Sequence, residues 1–410
     1  MTTALIIGGG IAGPTTAMAL QRVGIEPIVF EAYPRSTTEV GSYFTVTTNG
    51  LAALDVIDAL PIAVGVGFPT HQNVMWNERG QRLATLPLGA ALPDGTVSQT
   101  IKRARLSHAL EDEAIRRGVR IEFGKRLVDA GVGADGRVWA RFEDGTSADG
   151  DLLVGADGVH SVVRRIIDPA APAGRYVGLT NFGGYTVSAG LAADPERWHL
   201  IFGKRAFFGY NLDSRGGAVW FANVPRAEIS SAERASTTLD AWRAQLISLF
   251  AEDAGPAVQL IQRGELELAG DNTYDLGHVP TWHMGPMIII GDAAHAPAPS
   301  SGQGASMAIE DGIVLARCLR DDASIPSAFE AFERVRRDRV ERIVAAGART
   351  SSSKTPGVVG RLVRDAMLKV LLRFVVTEKS LRWMYDYRID WEMPAASPAR
   401  VVVPTATLLS

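Results

Sequence analysis

The 410-residue sequence predicts an α/β protein with a parallel sheet, a second domain built on a mixed or antiparallel sheet, and a helical carboxyl-terminal segment. Near the amino terminus, the apolar run Ala4 to Ile7 is followed by glycines, a helix of small residues and the apolar run Pro27 to Phe30. This order is typical of a parallel strand-helix-strand unit with a right-handed crossover. Alternating aromatic residues from Asn181 to Pro225 predict the second sheet. The charged sequence after Ala328 predicts the helical segment.

The composition narrows the possible partners and compartments. Hydrophobic residues make up 46% of the chain and the formal net charge is -3, so no global cationic field would attract nucleic acid or anionic lipid. The single cysteine, Cys318, cannot form an internal disulfide, and the amino terminus lacks the pattern of a secretion signal. We therefore expect a cytoplasmic protein without a membrane span. The histidines show no metal-ligand spacing, so we expect no metal site.

The first of three glycine clusters, Gly8 to Gly13, has the spacing G-x-G-x-x-G between a predicted strand and a predicted helix. In this motif the first glycine makes a tight turn, the second admits a pyrophosphate and the third packs the helix on the strand. The helix N-terminus then points at negative charge. Glu31 ends the second strand, where a carboxylate accepts hydrogen bonds from ribose hydroxyls. These features predict a dinucleotide site, and a glycine-rich turn without a ligand is the alternative.

Two later apolar runs predict buried parallel strands, and each ends in a glycine cluster that contains a carboxylate. Gly155 to Arg164 contains Asp157, and Gly291 to His295 contains Asp292. The loop Pro299 to Gly304 then precedes another predicted helix. Because ligands bind at the carboxyl ends of parallel strands, we expect this second helix N-terminus to point at the same ligand as the first.

Together with Arg103 in the segment Ile101 to Leu106, these motifs make the sequence similar to the single-component FAD-dependent aromatic hydroxylases, the flavoprotein monooxygenases with the para-hydroxybenzoate hydroxylase fold. The resemblance covers nearly the whole chain. It implies a discontinuous, Rossmann-like FAD-binding domain, a substrate-binding sheet domain, and a carboxyl-terminal helix and tail. The expected ranges are 1–72, 98–178 and 270–355 for the first, 73–97 and 179–269 for the second, and 356–410 for the third.

The resemblance implies roles for individual residues. Glu31 would bind the adenosine ribose, Arg103 the pyrophosphate region, and Asp292 the ribityl chain and pyrophosphate region. Asp157 would support FAD and the approach of NAD(P)H, and the loop Pro299 to Gly304 would lie along the isoalloxazine ring. The full set of expected FAD-binding residues is Gly8, Gly10, Ile11, Ala12, Gly13, Glu31, Ala32, Arg103, Asp157, Gly291, Asp292, Pro299, Gly302, Gln303 and Gly304.

Two features of the sequence depart from the family pattern. Ala32 stands where many relatives have arginine, which affects the adenine contacts. The pair Tyr43 and Phe44, in the loop expected to face the flavin, is not a general family feature.

The same resemblance implies an FAD-dependent, NAD(P)H-consuming monooxygenase that acts on an aromatic or polycyclic small molecule, with secondary metabolism as one setting. NAD(P)H would reduce FAD, dioxygen would add at the flavin C4a carbon, and the hydroperoxide would transfer one oxygen atom. An FAD-dependent dehydrogenase or reductase, a Baeyer-Villiger or epoxidising variant, and a non-catalytic flavin protein remain alternatives. A flavin halogenase is disfavoured because the segment Trp220 to Pro225 lacks the second tryptophan of the halogenase signature. We expect a monomer or homodimer.

The resemblance implies that the substrate lies between the second sheet and the flavin ring, and side-chain alternation then makes Phe208, Tyr210 and Trp220 its expected walls. Phe44 and Pro299 are expected near the flavin edge of the same pocket. The hydroxyl of Tyr210 would orient a phenolic substrate, provided that the strand register is the one assumed. His295 resembles a catalytic base, but a structural role in its loop is the favoured interpretation. The amphipathic segment Val358 to Val376 predicts a helix that packs on the FAD-binding domain or a partner subunit, with a membrane surface as the alternative.

Overall fold

The computed structural model describes residues 1–35, 41–192, 194–298, 301–352 and 378–395. The strands are β1 (Thr3–Ile7), β2 (Glu26–Glu31), β3 (Tyr43–Val46), β4 (Gly67–Pro69), β5 (Gln72–Asn77), β6 (Arg82–Pro87), β7 (Gln99–Lys102), β8 (Arg120–Phe123), β9 (Leu127–Val132), β10 (Val138–Phe142), β11 (Ser147–Gly150), β12 (Leu152–Gly155), β13 (Arg175–Thr186), β14 (Arg197–Phe202), β15 (Phe207–Leu212), β16 (Ala218–Pro225), β17 (Glu265–Asp275), β18 (His283–Met284) and β19 (Met287–Ile289). The helices are α1 (Ala12–Arg22), α2 (Thr48–Val56), α3 (Leu60–Val66), α4 (Arg103–Arg116), α5 (Val162–Ile167), α6 (Ser231–Ser236), α7 (Leu239–Phe250), α8 (Ala257–Arg263), α9 (Gly304–Asp321), α10 (Ile325–Ser352) and α11 (Glu378–Tyr385), and a 3-10 turn spans Gly291–Ala293.

The first sheet has six strands in the order β18-β19-β12-β1-β2-β8. All neighbours are parallel except the edge pair β18 and β19. Strands β12 and β19 and most of β1 are apolar and buried, as is usual for parallel sheets covered on both faces, and Phe30 of β2 stacks on Phe142 of β10. The predicted strand-helix-strand unit is thus confirmed as β1, α1 and β2. Strand β1 lies between β2, the next strand of the chain, and β12, a much later one. A change of direction in strand order at such a point creates the crevice where ligands bind in parallel sheets.

Helices α1 and α9 pack closely over this sheet. A Cβ atom added to Gly312 would lie 2.6 Å from Oγ1 of Thr16 and 3.1 Å from its Cα, so α9 needs a glycine where it meets α1. Helix α1 follows β1, and α9 follows β19 and its loop. Because β1 and β19 run in the same direction, both helices begin at the carboxyl edge of the sheet.

The second large sheet has seven strands in the order β17-β13-β16-β15-β14-β5-β6. It is antiparallel except for the pair β5 and β14, so it is mixed, as predicted. The turn Asp213 to Gly217 joins β15 to β16, and β5 and β6 form an antiparallel hairpin. A three-stranded sheet, β3-β7-β4, lies between the two large sheets, and β9, β10 and β11 form a separate meander. The domain boundaries given above stay predictions.

Each face of the seven-stranded sheet packs against a different partner. On one face, Nε1 of Trp198 donates a hydrogen bond to Oγ1 of Thr45 in β3 at 2.9 Å, so this face is turned towards the FAD-binding part of the chain. On the other face, the side chains of β15 and β16 pack against helices α7 and α8, including Trp242 and Phe250. We call these the inner face and the outer face.

The carboxyl-terminal part of the described chain is largely helical, in agreement with the sequence. Helix α10 is 28 residues long, and α11 lies next to α2. The predicted helix Val358 to Val376 lies outside the described residues. Within the ranges given above, no helix has the length and apolarity needed to cross a bilayer, and no three histidine, cysteine or acidic side chains are grouped like metal ligands.

Candidate FAD and substrate site

The turn after β1 has the geometry that its glycines predict. Gly8 has a positive φ of 109°, and its N–H donates to the carbonyl of Phe30 at 2.8 Å. A Cβ at Gly13 would lie 1.9 Å from the carbonyl oxygen of Gly8, so this glycine is needed for helix and strand to meet. A Cβ at Gly10 would meet no atom within 4 Å. Space is therefore open above Gly10, where a pyrophosphate would approach the backbone.

Glu31 lies beside this turn at the end of β2. Its Oε2 accepts a hydrogen bond from the N–H of Gly9 at 2.6 Å, and its Oε1 accepts one from the N–H of Tyr33 at 2.9 Å. A carboxylate offers about four acceptor positions, so both oxygens can still accept ribose hydroxyls. Ala32, in the bend after β2, contributes only its backbone and methyl group.

The third glycine cluster brings the second helix N-terminus to the same place. Gly291 has a positive φ of 58°, and a Cβ built on it would lie 3.5 Å from Cβ of Ala12, near the start of α1. Asp292 follows, and its Oδ1 is 3.8 Å from the position of a Cβ on Gly304, the first residue of α9. Helices α1 and α9 both lack a side-chain cap, and neither has an acidic residue in its first turn. Their free N–H groups can therefore bind an anion.

Arg103 is the first residue of α4 and is exposed. Its N–H donates to the carbonyl of Ser42 at 2.9 Å, which ties α4 to the segment before β3. Burial raises the pKa of the Asp292 carboxyl, and the charge of Arg103 opposes this shift, so the two side chains belong to one electrostatic site. Asp112, further along α4, pairs with Arg35 and not with Arg103.

Asp157 has a structural role that the sequence analysis did not predict. Its Oδ1 accepts a hydrogen bond from the hydroxyl of Ser161 at 2.5 Å, and its Oδ2 accepts from the N–H groups of Val162 and Val163 at 2.7 and 3.1 Å. The carboxylate therefore caps α5. Whether Asp157 also supports FAD or the approach of NAD(P)H stays a prediction.

Arg164 in α5 links the second and third glycine clusters. The guanidinium is buried, and it donates to the carbonyl of Ala293 at 2.9 Å and to that of Val159 at 2.7 Å. Asp157 thus acts indirectly: it holds the helix from which Arg164 fixes the backbone next to Asp292. Arg164 was not singled out from the sequence.

Gln303 braces the loop before α9 and is fully buried. Its Nε2 donates to Oγ1 of Thr47 at 2.9 Å, and its Oε1 accepts from Nδ2 of Asn49 at 3.0 Å. The side chain therefore joins the α9 loop to the segment after β3, and only its backbone remains for a ligand. Gly302 has a positive φ of 62°, and the predicted contact Pro299 lies outside the described residues.

Three of the predicted pocket residues lie on the outer face of the second sheet. Phe208 stacks on Trp220 and contacts Phe250, and Tyr210 stacks on His199. Phe208 and Trp220 are at most 1% exposed, and burial raises the pKa of Tyr210 to about 12. The predicted pocket role is wrong for Phe208, Tyr210 and Trp220, because the strand register turns them away from the FAD-binding part. Phe44 does lie in β3, half-buried.

The inner face carries the side chains that the sequence analysis missed. Phe221 and Tyr185 are half-buried on this face, and both contact the core of the first domain. The ring of Tyr185 lies 6.5 Å from that of Tyr43 in β3. Leu268 in β17 is also half-buried, opposite Gly183. These side chains lie where the inner face meets β3 and the core around the six-stranded sheet, and we call this region the inner cleft.

Comparisons with known proteins agree with this geometry. A family profile described as FAD binding domain matches residues 1–346. Aurachin C monooxygenase/isomerase from Stigmatella aurantiaca is 32% identical over 398 residues, which cover 95% of this chain and 96% of that protein. The chain belongs to the FAD binding domain family.

Other members of the family extend the similarity to solved structures. FAD-dependent urate hydroxylase from Klebsiella pneumoniae is 31% identical over 348 residues, which cover 83% of this chain and 87% of that protein. The crystal structure of Klebsiella pneumoniae HpxO with FAD and uric acid is 27% identical, covers 90% of this chain and 93% of that one, and has a TM-score of 0.76. The predicted resemblance, the fold class and FAD as cofactor are thereby confirmed.

Proposed function

We propose that the protein is an FAD-dependent monooxygenase that uses NAD(P)H and dioxygen to insert one oxygen atom into an aromatic or polycyclic small molecule. The observation that carries this proposal is the convergence of two uncapped helix N-termini with Glu31 and Asp292 at one sheet edge. That arrangement suits a dinucleotide whose ring end reaches a flat organic acceptor.

The chain's own residues bind and orient. The backbone of Gly8 to Gly13 and the N-terminus of α9 hold the pyrophosphate, while Glu31 accepts the ribose hydroxyls of the adenosine half. Arg103 neutralises phosphate charge, since its planar fork suits phosphate oxygens. Asp292 accepts hydrogen bonds from the ribityl hydroxyls. FAD supplies the redox chemistry that activates dioxygen.

The inner cleft positions the acceptor and keeps water out. Phe221, Tyr185 and Leu268 present apolar surface there, and Trp198 ties the same face to β3 through its hydrogen bond to Thr45. Excluding water matters because activated oxygen that meets no acceptor is lost as hydrogen peroxide. The charged side chains of the site, Glu31, Arg103 and Asp292, act in binding FAD. The rate of oxygen transfer therefore depends on how the acceptor is positioned.

Relatives support the range of acceptors proposed here. One is named as an aurachin C monooxygenase/isomerase and another as an FAD-dependent urate hydroxylase. We further propose a cytoplasmic location, because the free thiol of Cys318 is buried and suits a reducing compartment. A monomer or homodimer is the proposed assembly.

The proposal is tested with the FAD-loaded protein. NADH and NADPH oxidation and oxygen uptake are followed with and without a panel of aromatic compounds. At least one compound should accelerate both rates and appear as an oxygenated product. Equal rates for the whole panel, with no product, would overturn the proposal.

A further inference from the structure

Lys102 and Glu267 form an ion pair between the three-stranded sheet and the seven-stranded sheet. Lys102 ends β7, and Glu267 lies in β17 of the second sheet. Lys102 Nζ donates to Oε1 of Glu267 at 2.8 Å, and the two side chains are 10% and 17% exposed. The pair lies at the inner cleft, because Glu267 adjoins Leu268 and Lys102 is over the ring of Tyr43, 5.7 Å from its centroid.

A β-bulge directs Glu267 into this position. In the pairing of β13 with β17, Gly183 is opposite Leu268 whereas Gly184 is opposite Leu266, so Glu267 is the extra residue. A bulge redirects a side chain, and bulges are frequent next to active sites. The sheet therefore departs from regular pairing at the residue that contacts Lys102.

One oxygen of this carboxylate is unused. Oε2 of Glu267 is buried and has no hydrogen-bond partner among the described residues. An unpaired buried acceptor costs free energy, whereas a ligand N–H or O–H would satisfy it. The Lys102 ammonium has three N–H donors, and only one is needed for Glu267. The pair thus offers a ligand an acceptor and a donor side by side.

The surroundings limit the shape and charge of such a ligand. The rings of Tyr43 and Tyr185 are inclined by only 27°, which favours a flat molecule. Gly183, opposite Leu268, carries no side chain. A Cβ atom built there would lie 3.5 Å from the carbonyl oxygen of Trp220 and 3.8 Å from Cβ of Leu268, which are ordinary contact distances. Lys102 and Glu267 already balance each other's charge, so a charged ligand would leave an uncompensated charge in a buried site.

We propose that Lys102 and Glu267 recognise the acceptor substrate, and that it is a neutral, planar heteroaromatic molecule with an N–H or O–H donor close to a carbonyl oxygen. The donor binds Oε2 of Glu267, and the carbonyl accepts from Lys102. This inference rests on the proposed function and specifies its substrate class. It excludes aromatic carboxylates as preferred substrates.

The test measures binding to the FAD-loaded protein by the difference spectrum of the flavin. The probes are 4(1H)-quinolone, its N-methyl derivative, which lacks the donor, and salicylate, which is anionic. We expect 4(1H)-quinolone to bind about tenfold more tightly than either other probe, since a hydrogen bond to a charged group has about that effect on affinity. Equal affinities, tighter salicylate binding or no quinolone binding would overturn the inference.

Variants locate the effect. Glu267→Gln should weaken quinolone binding about tenfold or more and remove the preference over the N-methyl compound. Glu265→Gln, at an exposed position on the same strand, is the matched control and should change neither. Lys102→Met provides a second route if Glu267→Gln fails to fold, and FAD content is measured for every variant. Unchanged quinolone affinity in a folded, FAD-loaded Glu267→Gln or Lys102→Met protein would overturn the inference.

The two proposals fail in different ways. If the protein oxygenates another class of compound and Glu267→Gln has no effect, the substrate inference is wrong and the monooxygenase function stands. If no compound is oxygenated, the proposed function is wrong even if quinolone binds to Glu267.

Discussion

Nε2 of His295 lies 2.6 Å from Oδ2 of Asp311, the same oxygen that accepts the N–H of Gly291 at 2.8 Å. Both side chains are at most 2% exposed, and Arg336 contacts the other oxygen of the carboxylate at 2.7 Å. Burial acts to raise the pKa of Asp311, but the charges of His295 and Arg336 prevail and lower it to about 2. His295 therefore holds the loop that presents Asp292.

This arrangement predicts a structural role for His295. His295→Ala should lower the free energy of unfolding by at least about 1.5 kcal/mol, because a hydrogen bond to a buried carboxylate is lost. His295→Gln keeps a donor and should recover part of the loss. In both variants the pH profile of kcat/KM should keep its wild-type shape. A profile that loses one ionisation would instead identify His295 as an acid-base catalyst.

The glycines of the first cluster predict two different defects. Gly10→Ala should leave the stability of the apoprotein unchanged, because the added Cβ meets no atom, yet it should weaken FAD binding by filling the pyrophosphate approach. Gly13→Ala should destabilise the apoprotein, since its Cβ would collide with the carbonyl oxygen of Gly8. Denaturant unfolding without FAD and FAD titration measure the two effects. Wild-type FAD affinity in Gly10→Ala would remove the pyrophosphate from this turn.

A buried carboxyl near Glu31 predicts a pH effect on stability. Burial, reinforced by the negative charge of Glu31, raises the pKa of Glu111 to about 7. The folded state thus keeps a proton that the unfolded chain releases above its usual pKa of 4.5, so stability falls as the pH rises from 4.5 to 7. Glu111→Gln should be more stable than the wild type at pH 8, by about 3 kcal/mol at most, and much less so near pH 4.5.

The neighbouring Glu113 gives the control with the opposite sign. Hydrogen bonds from Arg116 and Arg117 lower the pKa of Glu113 to about 2, so Glu113→Gln should lose stability at neutral pH. Urea unfolding of both variants at pH 5 and pH 8 measures the contrast. A Glu111→Gln protein no more stable than the wild type at pH 8 would contradict the burial of this carboxyl.

The two faces of the second sheet predict opposite effects on coupling. Phe221→Ala, on the inner face, should increase the peroxide released per NAD(P)H oxidised, because a loosely held acceptor fails to capture the oxygen. Tyr210→Phe, on the outer face, should leave this ratio unchanged. Peroxide and NAD(P)H are measured together with a turnover substrate. An increase for Tyr210→Phe alone would restore the pocket predicted from the sequence.

The glycine motifs made the FAD site predictable. Each motif follows an apolar strand, and the carboxyl ends of parallel strands must meet at one edge, so Glu31, Asp292 and the two helix N-termini could be expected together. The helix-capping role of Asp157 could not be predicted in the same way, because a carboxylate at this position can bind either a ligand or a helix N-terminus. Only the completed turn determines which N–H groups it receives.

The substrate face was not predictable, for a physical reason. All six residues of β15 are buried, so alternation between apolar and polar residues, which normally identifies the core face, is absent. The Lys102 and Glu267 pair was equally hidden. Its residues are 165 positions apart, and a bulge in β17 breaks the regular pairing at Glu267.

The most direct test of the account uses oxygen isotopes. The FAD-loaded protein is supplied with NAD(P)H, a compound that accelerates its oxidation, and ¹⁸O-labelled dioxygen in unlabelled water, and the product is analysed by mass spectrometry. The account predicts one ¹⁸O atom in each product molecule. A product without the label, or NAD(P)H oxidation that yields only hydrogen peroxide with every accelerating compound, would contradict it.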